Sequence, residues 1–374
     1  MSTLKVDAIV DSSAGNTTTI NGATPTAYNT MGKNRIINGA MEIDQRNAGA
    51  SVTPTTNVTY TLDRWAMTLS QSSKYSVQQQ TSVVPVGFTN AMKFTSLSSY
   101  SVGAEVFGFR QMIEGYNVPD LNWGTANAKS ITLSFYVYSS LTGTFGGALL
   151  NSAENRSYPF EYTISSANTW EQKTVTIAGD TSGTWVTNNG TGIQLHFSLG
   201  VGSSLSGTAG AWAGTNYYSA TGATSVVGTS GATFYITGVQ LEAGSVATEF
   251  ERRPYGTELA LCQRYFYYYD VQVDSETARG VAQSSTTVFY NFNVPVPLRT
   301  TPTVVFAGYT GLRQRGGGVN NSTTSLTINT VYYSPNANLV SMYCTTSGNS
   351  GTVPYAIVLS SPDGTGYLTA SAEL

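Results

Sequence analysis

The chain has 374 residues, of which 10% are charged and 40% hydrophobic, and its net charge is −3. That balance excludes an electrostatic nucleic-acid binder, which displaces counterions with clustered Lys and Arg, and no run of about 18 apolar residues is present to cross a membrane as a helix. Tyrosines number 24 beside 14 phenylalanines and 38 glycines, a neutral, aromatic composition that speaks for β-structure and against disorder.

Residues 1 to 33 are thin in apolar content. "MSTLKVDAIVDSSAG" lacks the apolar stretch expected of a secretory signal. "LKVDAIV" fits one short strand with Leu4, Val6 and Ala8 on a face, and the segment is expected to order only against a partner. From residue 34 onward, short segments of period-two alternation are separated by Gly, Asn, Ser and Pro, the pattern of a sandwich or barrel. In "ITLSFYVYSS", Ile131, Leu133, Phe135 and Val137 share one face, and Thr132, Ser134, Tyr136 and Tyr138 the other. "TGIQLHFSLG" repeats this, with Ile193, Leu195, Phe197 and Leu199 set against Gln194, His196 and Ser198. Further strands are expected near 61–69, 74–80, 91–97, 105–114, 158–164, 170–178 and 233–242. About ten strands in one domain, taken as residues 34–255, predict a two-sheet jelly roll.

Residues 203–231 carry no period and read as an exposed excursion. It holds Trp212, Tyr217 and Tyr218, rings whose flat apolar faces suit sugar C–H groups. "ERRPYG" then breaks the strand pattern. Thr257 is placed to cap a helix, with Glu258 in the positive first turn. Leu259, Cys262 and Phe266 recur at helical spacing, which predicts a short helix within a junction at residues 256–264. Such a helix is too short to stand alone. Leu259, Leu261, Cys262 and Phe266 are therefore candidates for contact with other subunits.

The period returns to two at "YFYYYD". Tyr265, Tyr267, Tyr269, Val271 and Val273 form the expected core face of a second domain, residues 265–374. Phe266 and Tyr268 lie on the other face. In "TTVFYNFNVPVPLRTTPTVVF" a strand is read through Val288, Tyr290, Phe292, Val294, Val296 and Leu298, with Pro295 and Pro297 marking an edge. Strands near 325–333, 339–345, 353–360 and 366–374 complete a second, smaller β-sandwich. Cys344 shares a face with Val340 and Met342. Cys262 and Cys344 supply neither a disulfide framework nor a zinc set, so both are expected as free thiols in a chain folded in a reducing cytoplasm. The 308–324 stretch, "GYTGLRQRGGGVNNSTT", reads as a loop with Tyr309, Arg313, Arg315, Asn320 and Asn321 as candidate ligand contacts; the glycines at 316–318 are a flexible loop, not a phosphate cradle.

Catalysis needs a constellation. His196 is the sole histidine, mid-strand and without a nucleophile elbow, and is expected to be structural. The acids Asp63, Glu105, Glu114, Asp120, Glu154, Glu161 and Asp180 are scattered, and no β-helix repeat is present of the kind that pairs carboxylates in capsule-degrading spikes. The expectation is a non-enzymatic protein without cofactor or metal.

"NRIINGAMEIDQRNAG" followed by "YTLDRW", the stretch "FRQMIEGYNVPDLNWGTANAKSITLSFYVYSSLTGTF", the stretch "ITGVQLEAGSVATEFERRPYGTELALCQRYFYYYD" and "VPVPLRTTPTV" together resemble bacteriophage tail-fibre and related virion proteins. The middle stretch resembles a jelly roll similar to carbohydrate-binding modules. The resemblance implies a homotrimer that mounts on the phage tail or other virion proteins through residues 1–33 and touches a bacterial surface glycan with its distal part. It implies a virion location after assembly in the host cytoplasm. The alternatives are a virion structural protein without receptor contact (a head fibre, vertex ornament or tail adaptor) and a free carbohydrate-binding protein, which would have no need of the leader.

Overall fold

A computed structural model describes residues 32–270, 276–307, 312–316, 319–323, 326–346, 355–360 and 366–374. The expected strand over "LKVDAIV", the expected face positions Val271 and Val273, and Tyr309 lie outside them. The chain divides into two compact units, Met1–Arg253 and Pro254–Leu374.

The strands of the first unit are β1 (Thr59–Tyr60), β2 (Ala66–Leu69), β3 (Tyr75–Gln80), β4 (Ala91–Ser96), β5 (Val106–Glu114), β6 (Ile131–Ser139), β7 (Gly143–Leu150), β8 (Ser157–Ile164), β9 (Glu171–Ile177), β10 (Thr191–Val201), β11 (Ser206–Gly207), β12 (Ser219–Ala220) and β13 (Thr233–Ala243). They build a six-stranded sheet in the order β1-β2-β5-β10-β7-β8 and a five-stranded sheet in the order β3-β4-β13-β6-β9. All pairings within these two sheets are antiparallel, so the unit is a jelly-roll sandwich. The alternation of β6 is realised: Ile131, Leu133, Phe135 and Val137 are wholly buried. Across from them lie Phe109 and Phe197, stacked 5.2 Å apart, with Phe94 4.5 Å from Phe109. Each such phenylalanine contributes about 1.5–3 kcal/mol by leaving water.

The first described residues of the unit meet its last residues beside β13. Asn34 receives the backbone N–H of Leu241 on its side-chain oxygen and donates to Val239 O, while Arg253 donates to Ile36 O and Asn34 O. Glu251 accepts the backbone N–H groups of Gly32 and Asn34 at 2.6 and 2.7 Å. "GTFGGALL" is a strand that alternation does not reveal, because glycines occupy Gly143, Gly146 and Gly147. A Cβ on Gly147 would lie 2.3 Å from His196 O and 2.4 Å from the Phe160 ring, so only glycine lets β7 pack there.

In the second unit the helix α1 runs Tyr255–Gln263 and is followed by β14 (Phe266–Asp270), β15 (Glu276–Ala282), β16 (Thr287–Asn293), β17 (Thr303–Ala307), β18 (Leu312–Gly316), β19 (Val319–Thr323), β20 (Leu326–Ser334), β21 (Leu339–Thr346), β22 (Tyr355–Ser360) and β23 (Tyr367–Ser371). A three-stranded sheet, β14-β23-β17, and a seven-stranded sheet, β19-β18-β22-β15-β16-β21-β20, enclose a core of Val288, Tyr290, Val340, Met342, Leu359 and Leu368. Three expectations are corrected here. The helix starts at Tyr255 behind Pro254, with no side-chain cap, so Thr257 sits inside the first turn rather than capping it. The break between units falls before Pro254, and the helix belongs to the second unit. Strand β16 stops at Asn293, since prolines at 295 and 297 cannot donate to a ladder; Val294 and Leu298 stay buried nonetheless. Cys262 and Cys344 are free, buried thiols, and burial pushes the Cys344 thiol up to about 12.

Candidate functional site

The 203–231 excursion is not an exposed loop. It folds back over the outer face of the six-stranded sheet. Parallel pairing of β11 with β12 ties its two halves together, and Ser157 bridges to Ala213. Trp212 is an anchor rather than a free platform. Its indole N–H donates to Ala178 O at 2.8 Å, and its ring lies edge-on to Trp123, Trp185 and Tyr158 at 5.4, 5.5 and 5.2 Å. The Tyr217 ring packs on β11, where a Cβ on Gly207 would come within 2.2 Å of it. Tyr218 reaches a polar cluster beneath the roof.

That cluster is fixed by register. Arg110 of β5 and His196 of β10 are direct cross-strand partners on the outward face. Arg110 donates to Gln194 Oε1 at 2.9 Å, Gln194 Nε2 donates to Glu154 Oε1 at 3.2 Å, and the Tyr218 hydroxyl donates to Glu154 Oε2 at 2.6 Å. His196 meets Gln194 Oε1 at 3.4 Å and lies 5.1 Å edge-on from Tyr218. Burial, and then the Arg110 charge, hold the His196 imidazole well below its usual range, so it is neutral at pH 7. Burial, then the hydrogen bond to Glu154, raises the Tyr218 phenol to about 12. The imidazole therefore faces an amide, not a nucleophile. Asp63, Asp120, Glu154 and Asp180 each sit against an arginine: Arg46, Arg35, Arg110 and Arg156. Among the described residues no group of His, Cys, Asp and Glu is arranged to hold a metal ion.

The outer face of the five-stranded sheet is built differently. Register sets Gln78 beside Lys93, Lys93 beside Tyr235, and Tyr235 beside Tyr138. Trp170, one residue before β9, continues the row. Tyr138 lies 5.0 Å from Tyr235 and 5.6 Å from Trp170, and Lys93 Nζ is 5.8 Å over the Tyr235 ring. Five neighbouring strands make this row roughly 19 Å long at ordinary strand spacing. Lys93, Tyr138, Trp170 and Gln78 are half-buried, and Gln172 beside Tyr136 is exposed. At the other end, Phe88 covers Tyr136 at 5.3 Å, and Arg252 covers Phe88 at 4.7 Å. The open end offers apolar ring faces with amide and ammonium donors at their margins, a surface suited to a polyhydroxylated chain. The alternation of "ITLSFYVYSS" places Tyr136 and Tyr138 outward, and that was the available signal. Their partners come from strands distant in sequence, and nothing local marks Lys93, Trp170 or Tyr235 as their neighbours.

In the second unit Leu312–Gly316 and Val319–Thr323, within the stretch expected as a loop, are paired antiparallel strands. Arg313 pairs with Ser322, Gln314 with Asn321, and Arg315 with Asn320 along β18 and β19. Of the subunit-contact candidates, Cys262 is fully buried and Phe266 is 5% exposed within the single chain. Both side chains are thus covered within the single chain. Leu259 and Leu261 are half-buried.

No protein family matches the chain, and no curated protein matches it. Among solved structures, the enzymatically active domain of tailspike protein 4 of bacteriophage CBA120 aligns with 56% of this chain at 11% identity and a TM-score of 0.32, and the chain spans 21% of that tailspike's length. A CBM4 carbohydrate-binding module aligns with 55% of this chain and 98% of its own, at 15% identity and a TM-score of 0.30. The family 11 carbohydrate-binding module of Clostridium thermocellum, in complex with a mixed-linked tetrasaccharide, aligns with 53% of this chain and 98% of its own, at 9% identity and a TM-score of 0.26. Similarity at this level carries no functional argument, so the jelly-roll description rests on the strand order and register of this chain.

Proposed function

We propose that this protein is a non-enzymatic, homotrimeric tail-fibre protein of a bacteriophage, which binds a host-surface glycan through the aromatic row of its first unit. The observation that carries the reading is the juxtaposition of Lys93, Tyr235, Tyr138 and Trp170 on a half-open sheet face. The resemblance of the quoted sequence stretches to phage fibre proteins supports the virion setting. The N-terminal segment mounts the fibre, and Leu259 and Leu261 contribute to the subunit junction. Threefold copies make individually weak sugar contacts effective through avidity.

A glycan array probed with the full-length protein tests this. Retention of a bacterial surface glycan, lost in the Tyr138→Ala/Trp170→Ala variant with an unchanged melting temperature, is the expected result. Undiminished retention by that variant contradicts the site. Sedimentation gives the oligomeric state, and Leu259→Asp/Leu261→Asp should lower it. Electron microscopy of particles should place the protein on the tail; a head location would favour a structural role without receptor contact.

A further inference from the structure

The five strands of the open sheet hold four charged residues, Lys93, Glu171, Lys173 and Glu242. Three of them are settled within the chain. Glu171 and Lys173 pair with each other. Their register partners Val137 and Phe135 are buried, so both lie on the inner side of the edge strand β9, away from Trp170. Glu242 is outward but at the far end of β6, beside Thr132. There it is buried and accepts the Thr248 backbone N–H, the Thr248 hydroxyl and the Gln240 amide. Lys93, half-buried on β4 between Gln78 and Tyr235, is the fourth. Among the described residues its ammonium makes no ion pair and no hydrogen bond; Nζ lies 5.8 Å over the Tyr235 ring. The outward positions that flank the row are uncharged: Ser76, Thr95 and Thr233 to one side, Gln80, Tyr136 and Gln172 to the other. "TSVVPVGFTN", which follows β3, and "SSANT", which precedes Trp170, are uncharged too.

We infer that the glycan of this face is an acidic chain, with a sugar carboxylate seated at Lys93 and a second sugar ring on Tyr138 and Trp170. The inference rests on the row being the glycan-binding face. The Tyr235 ring attracts the ammonium and holds it in place without taking up its hydrogen-bond donors. A lysine ammonium is a compact charge with three donors and no acceptor, so an anion is its natural complement. No acid of the sheet competes for it. A neutral chain satisfies the rings but leaves the ammonium to water, which makes the charge the source of selectivity. In the order β4-β13-β6-β9, Lys93 and Trp170 stand three strand spacings apart, roughly 14 Å. One sugar cannot reach both, so the charge and the stacked ring belong to different sugars of one chain.

Calorimetric titration of the full-length protein tests the assignment. The probes are hexagalacturonate and a hyaluronan hexasaccharide, each against its own methyl ester, which keeps the rings and removes the charge. At least one acid should bind at least about tenfold more tightly than its ester, the order set by one charge-assisted contact. That preference should shrink as salt rises from about 0.05 to 0.5 M, because a half-exposed charge is screened. Lys93→Gln should bring the ratio of acid to ester affinity to about one, and Lys93→Arg should keep it. Equal affinity for acid and ester, lost in Tyr138→Ala/Trp170→Ala, overturns the acidic assignment and leaves the row as a glycan-binding face. Absence of binding by both acids overturns the assignment as well, while the glycan array decides separately whether the row binds sugar at all. A preference that survives Lys93→Gln also overturns it. Should Lys93→Gln melt early, the salt dependence of the unaltered protein decides the question, and a preference that persists at high salt contradicts the assignment.

Discussion

On the six-stranded sheet of the first unit, Arg110, Gln194 and His196 point away from the core and meet Glu154 and Tyr218 under a folded-back segment. On the five-stranded sheet, Lys93, Tyr235 and Tyr138 also point away from the core, yet Lys93 and Tyr138 stay half-exposed beside Trp170. Both faces are polar and aromatic in sequence. They differ in what has been done with that chemistry. Under the roof, hydrogen bonds are closed within the chain, so a ligand there would have to displace partners already made. On the open face the rings are held in place by one another, and their remaining surface is unclaimed. Tyrosine and tryptophan therefore close into packing in one place and stay partly open in the other, and only the long-range arrangement of strands separates the two.

The comparison can be broken most severely through what the faces share. Phe135→Ala empties a wholly buried site between the sheets and should cost about 3–5 kcal/mol in urea unfolding, damaging both faces together. A smaller cost would mean that the sheets are less tightly coupled than their packing implies.

Trp212→Ala should separate them. The ring is half-buried, so a loss of about 2 kcal/mol is expected, below the full cost of a buried tryptophan. Limited proteolysis should then cut within 203–231, while glycan retention persists. Loss of retention with the roof would move the binding site to that face.

The roofed cluster should also give the first unit a pH dependence that the open face lacks. The folded His196 resists protonation, whereas the unfolded chain takes up a proton below its ordinary value of 6.5. The unfolded state thus binds more protons as pH falls, and stability should decline from pH 7.5 to 5.5. In His196→Asn that decline should flatten, as read by urea midpoints at the two pH values. An equal slope in both proteins would show that the imidazole is not the responsible group.

Much of the scaffold is legible in the sequence because it follows from period-two alternation. Ile131 to Val137 and Ile193 to Leu199 are buried as the pattern demands, and Cys344 sits in the core with Val340 and Met342. What escapes is whatever depends on space rather than period. Strand β7 hides behind glycines that tertiary packing requires. Trp212 looks like an exposed ligand platform until Trp123 and Trp185 are brought to it. Cys262 and Phe266 read as surface positions of a short helix and a strand until the folded chain covers them. The open face is half legible: Tyr136 and Tyr138 are outward by alternation, but Lys93, Tyr235 and Trp170 join them only through the order β4-β13-β6-β9.

Hydrogen–deuterium exchange of the full-length protein, with and without the glycan retained on the array, tests the central claim most directly. The account predicts added protection in β6, β9 and β13, around Tyr138, Trp170 and Tyr235, with residues 203–223 unchanged. Protection confined to 203–223, or to β5 and β10 around Arg110 and His196, would contradict it.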